Sequence, residues 1–135
     1  MQILLIVSKP VVKDLLSINI KSFLGVDVIV RTNSAEAVDL LAILPEIDLI
    51  ISDKESAFAM AEYLTNNKKQ TSLIVLGDKT EEISGIYPIT QFLAESDWEE
   101  IVTLSAKSLG IRWYFKEKKA QRVYSNPGDI LFKSW

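Results

Sequence analysis

Five residues that could form a chemical site each follow a short aliphatic run of the sequence: Ser8, Lys9, Asp53, Gly77 and Glu95. If the runs are parallel strands, their carboxyl ends meet at one edge of the sheet, where such folds bind ligands. A hard divalent cation at that edge would need clustered oxygen ligands. Because these residues lack such a cluster, we expect no metal and no cofactor.

Lys9 supplies the cation of this set. An ammonium at a partly buried sheet edge requires a carboxylate partner, so we expect Lys9 to lie within salt-bridge reach of Asp53 or Glu95. A partly exposed pair of this kind contributes about 0 to 1 kcal/mol. It would therefore fix local geometry more than it stabilises the fold.

The sequence contains neither cysteine nor histidine. The first absence excludes disulfides, zinc–thiolate sites and a cysteine nucleophile, and the second excludes a Ser-His-Asp triad. No glycine-rich loop follows the first aliphatic run, which argues against nucleotide binding of the P-loop or dinucleotide type. We expect no enzymatic activity.

Length and composition indicate one globular domain. The chain has 135 residues, of which 48% are hydrophobic and 24% are charged, and such a chain can bury a core of its own. No apolar run approaches the roughly 18 residues of a membrane span, and the N-terminus lacks the basic start of a signal peptide. We expect a soluble cytoplasmic protein that does not bind membranes.

Charge is unevenly distributed along the chain. Residues 111–135 carry six basic and two acidic side chains, a net of +4, whereas the whole chain has a net charge of −3. We therefore divide the sequence into a domain at 1–110 and a basic aromatic tail or linker at 111–135. Such a tail could bind nucleic acid by stacking aromatic rings on bases, but a solvated linker whose aromatic residues pack on the domain or on a partner protein is the more common arrangement.

Aliphatic runs alternate with helical patterns through the first domain. Short connections between them predict an α/β fold, a doubly wound, five-stranded parallel sheet with helices on both faces. Only about two helical turns fit between Gly77 and Ile89, so the fourth helix is expected to be short or missing. The strands are expected at 3–7, 26–30, 47–51, 73–76 and 89–93, and the other helices at 10–24, 34–44, 56–64 and 96–109.

Helical spacing also predicts which side chains face the core. In the second helix, Ser34 is the expected cap. The first helix should bury Val12, Leu15, Leu16, Ile20 and Phe23, the second Ala35, Val38, Leu41 and Ala42, the third Ala57, Met60, Ala61 and Leu64, and the last Trp98, Ile101, Val102 and Leu109.

Two segments resemble a known family. Residues 47–53 look like the third strand of response-regulator receiver domains, with Asp48 at the usual upstream acid and Asp53 at the phosphoacceptor position. Residues 32–37 are similar to that family's turn into its second helix. The resemblance covers roughly residues 1–110 and implies a flavodoxin-like sheet with the strand order 2-1-3-4-5.

The chain departs from the family at four of the site positions. Ser8 and Lys9 replace the acid pair that holds the metal, Gly77 replaces a hydroxyl residue, and Glu95 replaces a lysine. The resemblance is therefore to a degenerate member, a pseudo-receiver, in which only Asp53 survives. Since each missing group is a source of charge stabilisation worth several kcal/mol, we expect neither magnesium binding nor phosphorylation.

Three functions remain open from the sequence. We favour a non-catalytic signalling module of two-component type that acts through protein–protein contacts. The alternatives are a phosphorylatable receiver with Asp53 as phosphoacceptor and a flavodoxin-like binder of small molecules.

A shortened fourth helix would leave apolar surface uncovered beside the fifth strand. We expect this face, with the last helix and the tail, to bind a protein partner or a second copy, and nucleic acid to be an unlikely partner. The residues expected at this interface are Ile83, Ile86, Tyr87, Phe92, Trp113, Tyr114, Phe115 and Trp135.

Overall fold

In a computed structural model, which describes residues 1–44 and 46–111, five parallel strands form one sheet in the order β2-β1-β3-β4-β5. The predicted flavodoxin-like fold and its strand order are confirmed. The strands are β1 Gln2–Ile6, β2 Asp27–Arg31, β3 Leu49–Asp53, β4 Ser72–Leu76 and β5 Thr90–Leu93. The helices are α1 Pro10–Leu24, α2 Ser34–Ile43, α3 Lys54–Asn66, α4 Glu81–Ile86 and α5 Trp98–Leu109.

The helices cover the two faces of the sheet and create two apolar layers. On β1, Leu4 and Ile6 pack in the layer formed with α2, α3 and α4, whereas Ile3 and Leu5 pack in the layer formed with α1 and α5. Strands buried on both faces need apolar residues at successive positions, which is why the sequence shows unbroken aliphatic runs.

Two helices differ from their predicted inward faces. In α1, Leu16 and Ile20 are buried, but Leu15 is 42% exposed and lies on the outer side, and Phe23, also predicted to be buried, is 38% exposed. In α2, Ala37 and Leu41 are buried, whereas Ala35 and Ala42 are exposed. The predicted stripes were wrong at these positions because helical spacing alone does not distinguish the core-facing side from an apolar outer side.

The cap of α2 lies one residue before the predicted one. Asn33, not Ser34, is the N-cap, and its side chain accepts a hydrogen bond from Glu36 N at 3.0 Å. The Glu36 carboxylate in turn accepts from Thr32 N at 3.1 Å. Gly110 ends α5 in the left-handed conformation with φ 72°, which glycine adopts without a steric penalty.

The fourth helix is short, as predicted, but it does not leave the expected apolar gap. Ile83 and Tyr87 are buried, and Ile86 and Phe92 pack partly against the same core. The Tyr87 hydroxyl donates to Thr71 O at 2.6 Å and lies 3.2 Å from Lys69 O. The expectation that Ile83 and Tyr87 form an exposed patch was therefore wrong, because a helix of six residues suffices to bury both side chains.

The aromatic residues Trp113, Tyr114, Phe115 and Trp135 lie outside the described residues. Within the described chain, Trp98 is half-buried and its ring stacks on Phe23 at a centroid distance of 5.9 Å. None of the helices described in residues 1–44 and 46–111 combines the length and apolar character needed to cross a bilayer.

Candidate functional site

Four of the five predicted site residues line one open cavity at the carboxyl edge of the sheet. Lys9, Asp53, Gly77 and Glu95 surround a space of about 360 Å³. They come from the ends of β1, β3, β4 and β5, which the parallel order brings side by side. Ser8 does not line this cavity but contacts Asp53 through its backbone. The edge predicted from the sequence is therefore assembled.

Asp53 is both the last residue of β3 and the N-cap of α3. Its Oδ1 accepts a hydrogen bond from Ser56 N at 3.0 Å, and its Oδ2 accepts one from Ser8 N at 3.0 Å. The residue is only 6% exposed. Bonds from backbone N–H groups to an ionised carboxylate are charge-assisted and strong. The carboxylate thus joins the β1–α1 loop to the start of α3.

Ser8 acts in this site through its backbone amide. Ser8, which stands where the resemblance implies a carboxylate, is exposed. Its N–H group, however, is one of the two donors that fix Asp53. No pattern of residue types could have predicted this, because every residue except proline offers the same donor.

Lys9 forms the predicted ion pair with Glu95. Its Nζ lies 2.9 Å from Glu95 Oε1, and the two side chains are 64% and 37% exposed. The hydrogen bond to Glu95, followed by the charge of that carboxylate, raises the pKa of Lys9 above its usual value, and the charge of Asp53 contributes least. Glu95, rather than Asp53, is therefore the partner, and the pair links the β1–α1 loop to the β5–α5 loop.

Lys54 also lines the cavity, although the sequence did not predict it there. The aliphatic part of its side chain passes over Gly77, such that a β-carbon on that glycine would lie 3.6 Å from Lys54 Cδ. Asp53 and Leu76 are register partners on neighbouring strands, so the residues that follow them, Lys54 and Gly77, must also be neighbours. This contact could have been predicted from the sequence, because a lysine directly follows Asp53 and a glycine directly follows the adjacent strand.

Asp48 belongs to the opposite edge of the sheet. Its Oδ2 accepts a hydrogen bond from Gln2 N at 2.8 Å, and its own N–H donates to Gln2 O at 3.0 Å. The residue at the family's upstream acid position therefore holds the start of β1 against β3 and does not reach the cavity.

Two of the charged residues that line the cavity, Asp53 and Lys9, have partners within the fold. In the part of the chain that the structure describes, no three carboxylates gather in a way that could hold a metal ion. The carboxylate of Asp53 has both oxygens bonded, and the ammonium of Lys9 is paired. These contacts link the β1–α1 loop to the start of α3 and to the β5–α5 loop.

The fold is similar to that of several solved receiver domains. An atypical orphan response regulator, described as revealing a phosphorylation-independent regulatory mechanism, matches with a TM-score of 0.64 and 14% identity over 84% of this chain and 98% of its own. The N-terminal domain of a response regulator/sensory box/GGDEF protein from Carboxydothermus hydrogenoformans matches with a TM-score of 0.66 and 16% identity over 90% of this chain and 98% of its own.

An orphan response regulator of H. pylori matches with a TM-score of 0.63 and 16% identity, over 81% of this chain and 96% of its own. No protein-family model and no curated protein sequence matches the chain. At identities this low, the likeness establishes the fold alone.

Proposed function

We propose that this chain, which has the fold of response-regulator receiver domains, is a non-enzymatic signalling module that acts through protein–protein contacts and without metal-dependent phosphorylation. The observation that carries the proposal is the state of Asp53. Both oxygens of its carboxylate accept backbone hydrogen bonds at 3.0 Å, and the side chain is buried.

Phosphorylation of Asp53 would be costly in this environment. A phosphoryl group on either oxygen would displace the N–H group of Ser8 or Ser56, and a hydrogen bond to a charged acceptor contributes about 1.5–3 kcal/mol. The usual compensation is a metal ion and a cation beside the phosphoryl oxygens. Here Lys9, the cation that follows β1, forms an ion pair with Glu95, and its Nζ lies 2.9 Å from Glu95 Oε1.

The comparison with solved structures supports a signalling role without phosphorylation. One of the proteins with this fold is described as using a phosphorylation-independent mechanism. Its chain shares the whole receiver fold with this one but only 14% of its sequence. The fold is therefore compatible with regulation that does not depend on a modified aspartate.

The contact surface is proposed at β5, with α5 and the tail. A shallow groove of about 450 Å³ runs along this edge strand, lined by residues that include Ser84, Gln91, Phe92 and Leu104. Ile89, the residue directly before the strand, is 49% exposed. Because β5 pairs with β4 on one side only among the described strands, its other edge offers free backbone groups to a partner protein.

The cavity beside Asp53 fits a small-molecule site less well. Small-molecule sites are predominantly apolar clefts that bury most of the ligand surface. This cavity is open, and charged side chains of Lys9, Lys54, Glu55, Asp78 and Glu95 line it. The protein-contact function is therefore the better supported of the two.

Incubation of the full chain with a small acyl phosphate and Mg²⁺, followed by intact mass measurement, tests the proposal. We expect an unchanged mass, while a phosphorylatable receiver domain treated in parallel gains one phosphoryl group. Stoichiometric gain of a phosphoryl group by this chain, abolished in the variant Asp53→Asn, would contradict the proposal and establish Asp53 as a working phosphoacceptor.

A further inference from the structure

Helix α1 exposes a row of large apolar side chains to solvent. Val11 is 79% exposed, Leu15 42% and Ile18 63%. They follow one another at intervals of four and three residues and therefore lie on one side of the helix. The helix buries Leu16 and Ile20 on its other side. A surface helix normally has a polar outer face, so this apolar row, Val11–Leu15–Ile18, requires a reason.

The spacing of the row is that of a helix-pairing seam. Val11, Leu15, Ile18 and then Ser22 alternate steps of four and three residues, which is the pattern of positions that face a second helix in a coiled coil. Ser22 at the last position would weaken the pairing. The row Val11–Leu15–Ile18 spans eight residues, which is about 11 Å or two turns of helix at about 1.5 Å per residue.

Two charged residues border the row on the same side. Asp14 and Lys21 are seven residues apart, each directly before a seam position, and both are exposed. Neither side chain forms an ion pair within residues 1–44 and 46–111, where the salt bridges are Lys9–Glu95 and Lys79–Glu81. The α1 row is thus flanked by one acidic and one basic side chain, and both are available to a partner.

We propose that the α1 row is a docking surface for a second copy of this chain, with the two α1 helices antiparallel around a two-fold axis. In that arrangement Leu15 packs against Ile18 of the second copy, and Val11 faces Ser22 of the second copy. The flanking positions then place Asp14 opposite Lys21 of the second copy, and the two-fold axis repeats this ion pair.

Charge complementarity selects the second copy and the antiparallel direction. In a parallel pairing Asp14 would face the uncharged Asn19 of the second copy, and Lys21 would have no acid opposite. A standard protein–protein interface buries about 800 Å² of surface on each partner, and a single helix pair buries less. We therefore expect a weak dimer with a dissociation constant of about 0.1–1 mM. This surface is separate from the β5 groove and goes beyond the function proposed above.

Sedimentation of the full chain at concentrations up to about 1 mM tests the docking proposal. The variants Asp14→Lys and Lys21→Asp each turn two attractive pairs into two repulsive ones, and we expect each to weaken the dimer about tenfold. The double variant restores opposite charges and should return the constant to within about threefold of the original. Asp39→Lys, the same charge change on the exposed side of α2, is the matched control and should leave the constant unchanged.

Three results would overturn the proposal: a monomer at every concentration, a dimer that neither single variant weakens, or a double variant no better than the single ones. A dimer that only β5 substitutions weaken would place the contact at the groove instead. The three substituted positions, Asp14, Lys21 and Asp39, are exposed, so the variants are expected to fold, and unchanged circular dichroism verifies this. The phosphorylation assay does not involve α1, so each proposal can fail without the other.

Discussion

Replacement of Asp53 by asparagine tests whether this carboxylate is a structural clamp. Asparagine has one acceptor oxygen, so it can cap α3 as well as aspartate does. Its amide group is a donor and cannot accept from the second N–H group, which belongs to Ser8 or to Ser56. The variant Asp53→Asn thus loses one charge-assisted hydrogen bond and leaves a partly buried amide proton unpaired. We expect the free energy of unfolding to fall by about 2 kcal/mol.

Urea denaturation followed by circular dichroism measures this change, and the midpoint should move with an unchanged slope. The same loss lowers the melting temperature by roughly 6–10 °C for a domain of this size. Asp97→Asn is the matched control, because Asp97 caps α5 with one exposed hydrogen bond at 3.4 Å to Glu100 N. We expect it to change stability by less than about 0.5 kcal/mol.

Equal destabilisation by the two asparagine variants would refute the clamp. Asp53 would then be an ordinary helix cap, and its second hydrogen bond would contribute nothing. A stabilised Asp53→Asn would contradict it more strongly, since it would indicate that the buried carboxylate is destabilising, as at many reactive sites.

Three further predictions concern the loop between α3 and β4, which contains Lys68 and is contacted by the hydroxyl of Tyr87. Tyr87→Phe should lower the free energy of unfolding by about 1 kcal/mol, because it removes the hydroxyl bonded to Thr71 O; Tyr63→Phe, whose hydroxyl has no partner among the described residues, should not. Burial raises the pKa of Tyr87 above 10.0. The hydroxyl therefore contributes its full share to the free energy of unfolding below that pH, and this share is lost as pH rises through the folded-state pKa. Alkaline denaturation should show this loss in the original protein and not in Tyr87→Phe. Lys68 has φ 52°, and Lys68→Gly should raise the melting temperature by relieving a left-handed strain of about 1 kcal/mol, whereas Lys69→Gly should lower it.

The sheet could be predicted from the sequence because its signal is local. The central strands β1, β3 and β4 consist mostly of successive aliphatic residues, as strands covered on both faces do. The edge strands β2 and β5 carry polar residues among their apolar ones. The aliphatic runs do not determine the order of the strands. The order was implied by the resemblance to receiver domains, which includes that of residues 47–53 to their third strand. Gly25 and Gly110 marked the ends of α1 and α5 correctly, since both adopt the left-handed conformation there.

The prediction failed where burial depends on distant partners. Tyr87 was assigned to the surface because α4 is short, but its hydroxyl is bonded to backbone carbonyl groups near residue 70. No spacing within the sequence reveals that contact. Leu15 was assigned to the core because its spacing fits, although two sides of α1 are apolar and only one of them can face the sheet.

The side-chain contact of the site could be predicted from residue types, whereas its backbone contact could not. The pairing of Lys9 with Glu95 follows from two opposite charges at the ends of β1 and β5. The bond from Ser8 N to Asp53 depends on the direction of one peptide group, which the side-chain sequence does not encode. The absent acids were therefore visible in the sequence, whereas the amide that engages Asp53 was not.

The shortness of α4 has a consequence for how the protein moves. A six-residue helix has too few internal hydrogen bonds to be stable by itself, and the neighbouring β5 has four residues that pair with β4 alone among the described strands. Local opening of such an edge unit costs less free energy than global unfolding, whereas β1, held between β2 and β3, opens only with the whole domain. The amide protons of α4 and β5 should therefore exchange with solvent first, and a partner that binds at β5 would bind the element of the sheet that is most easily reordered.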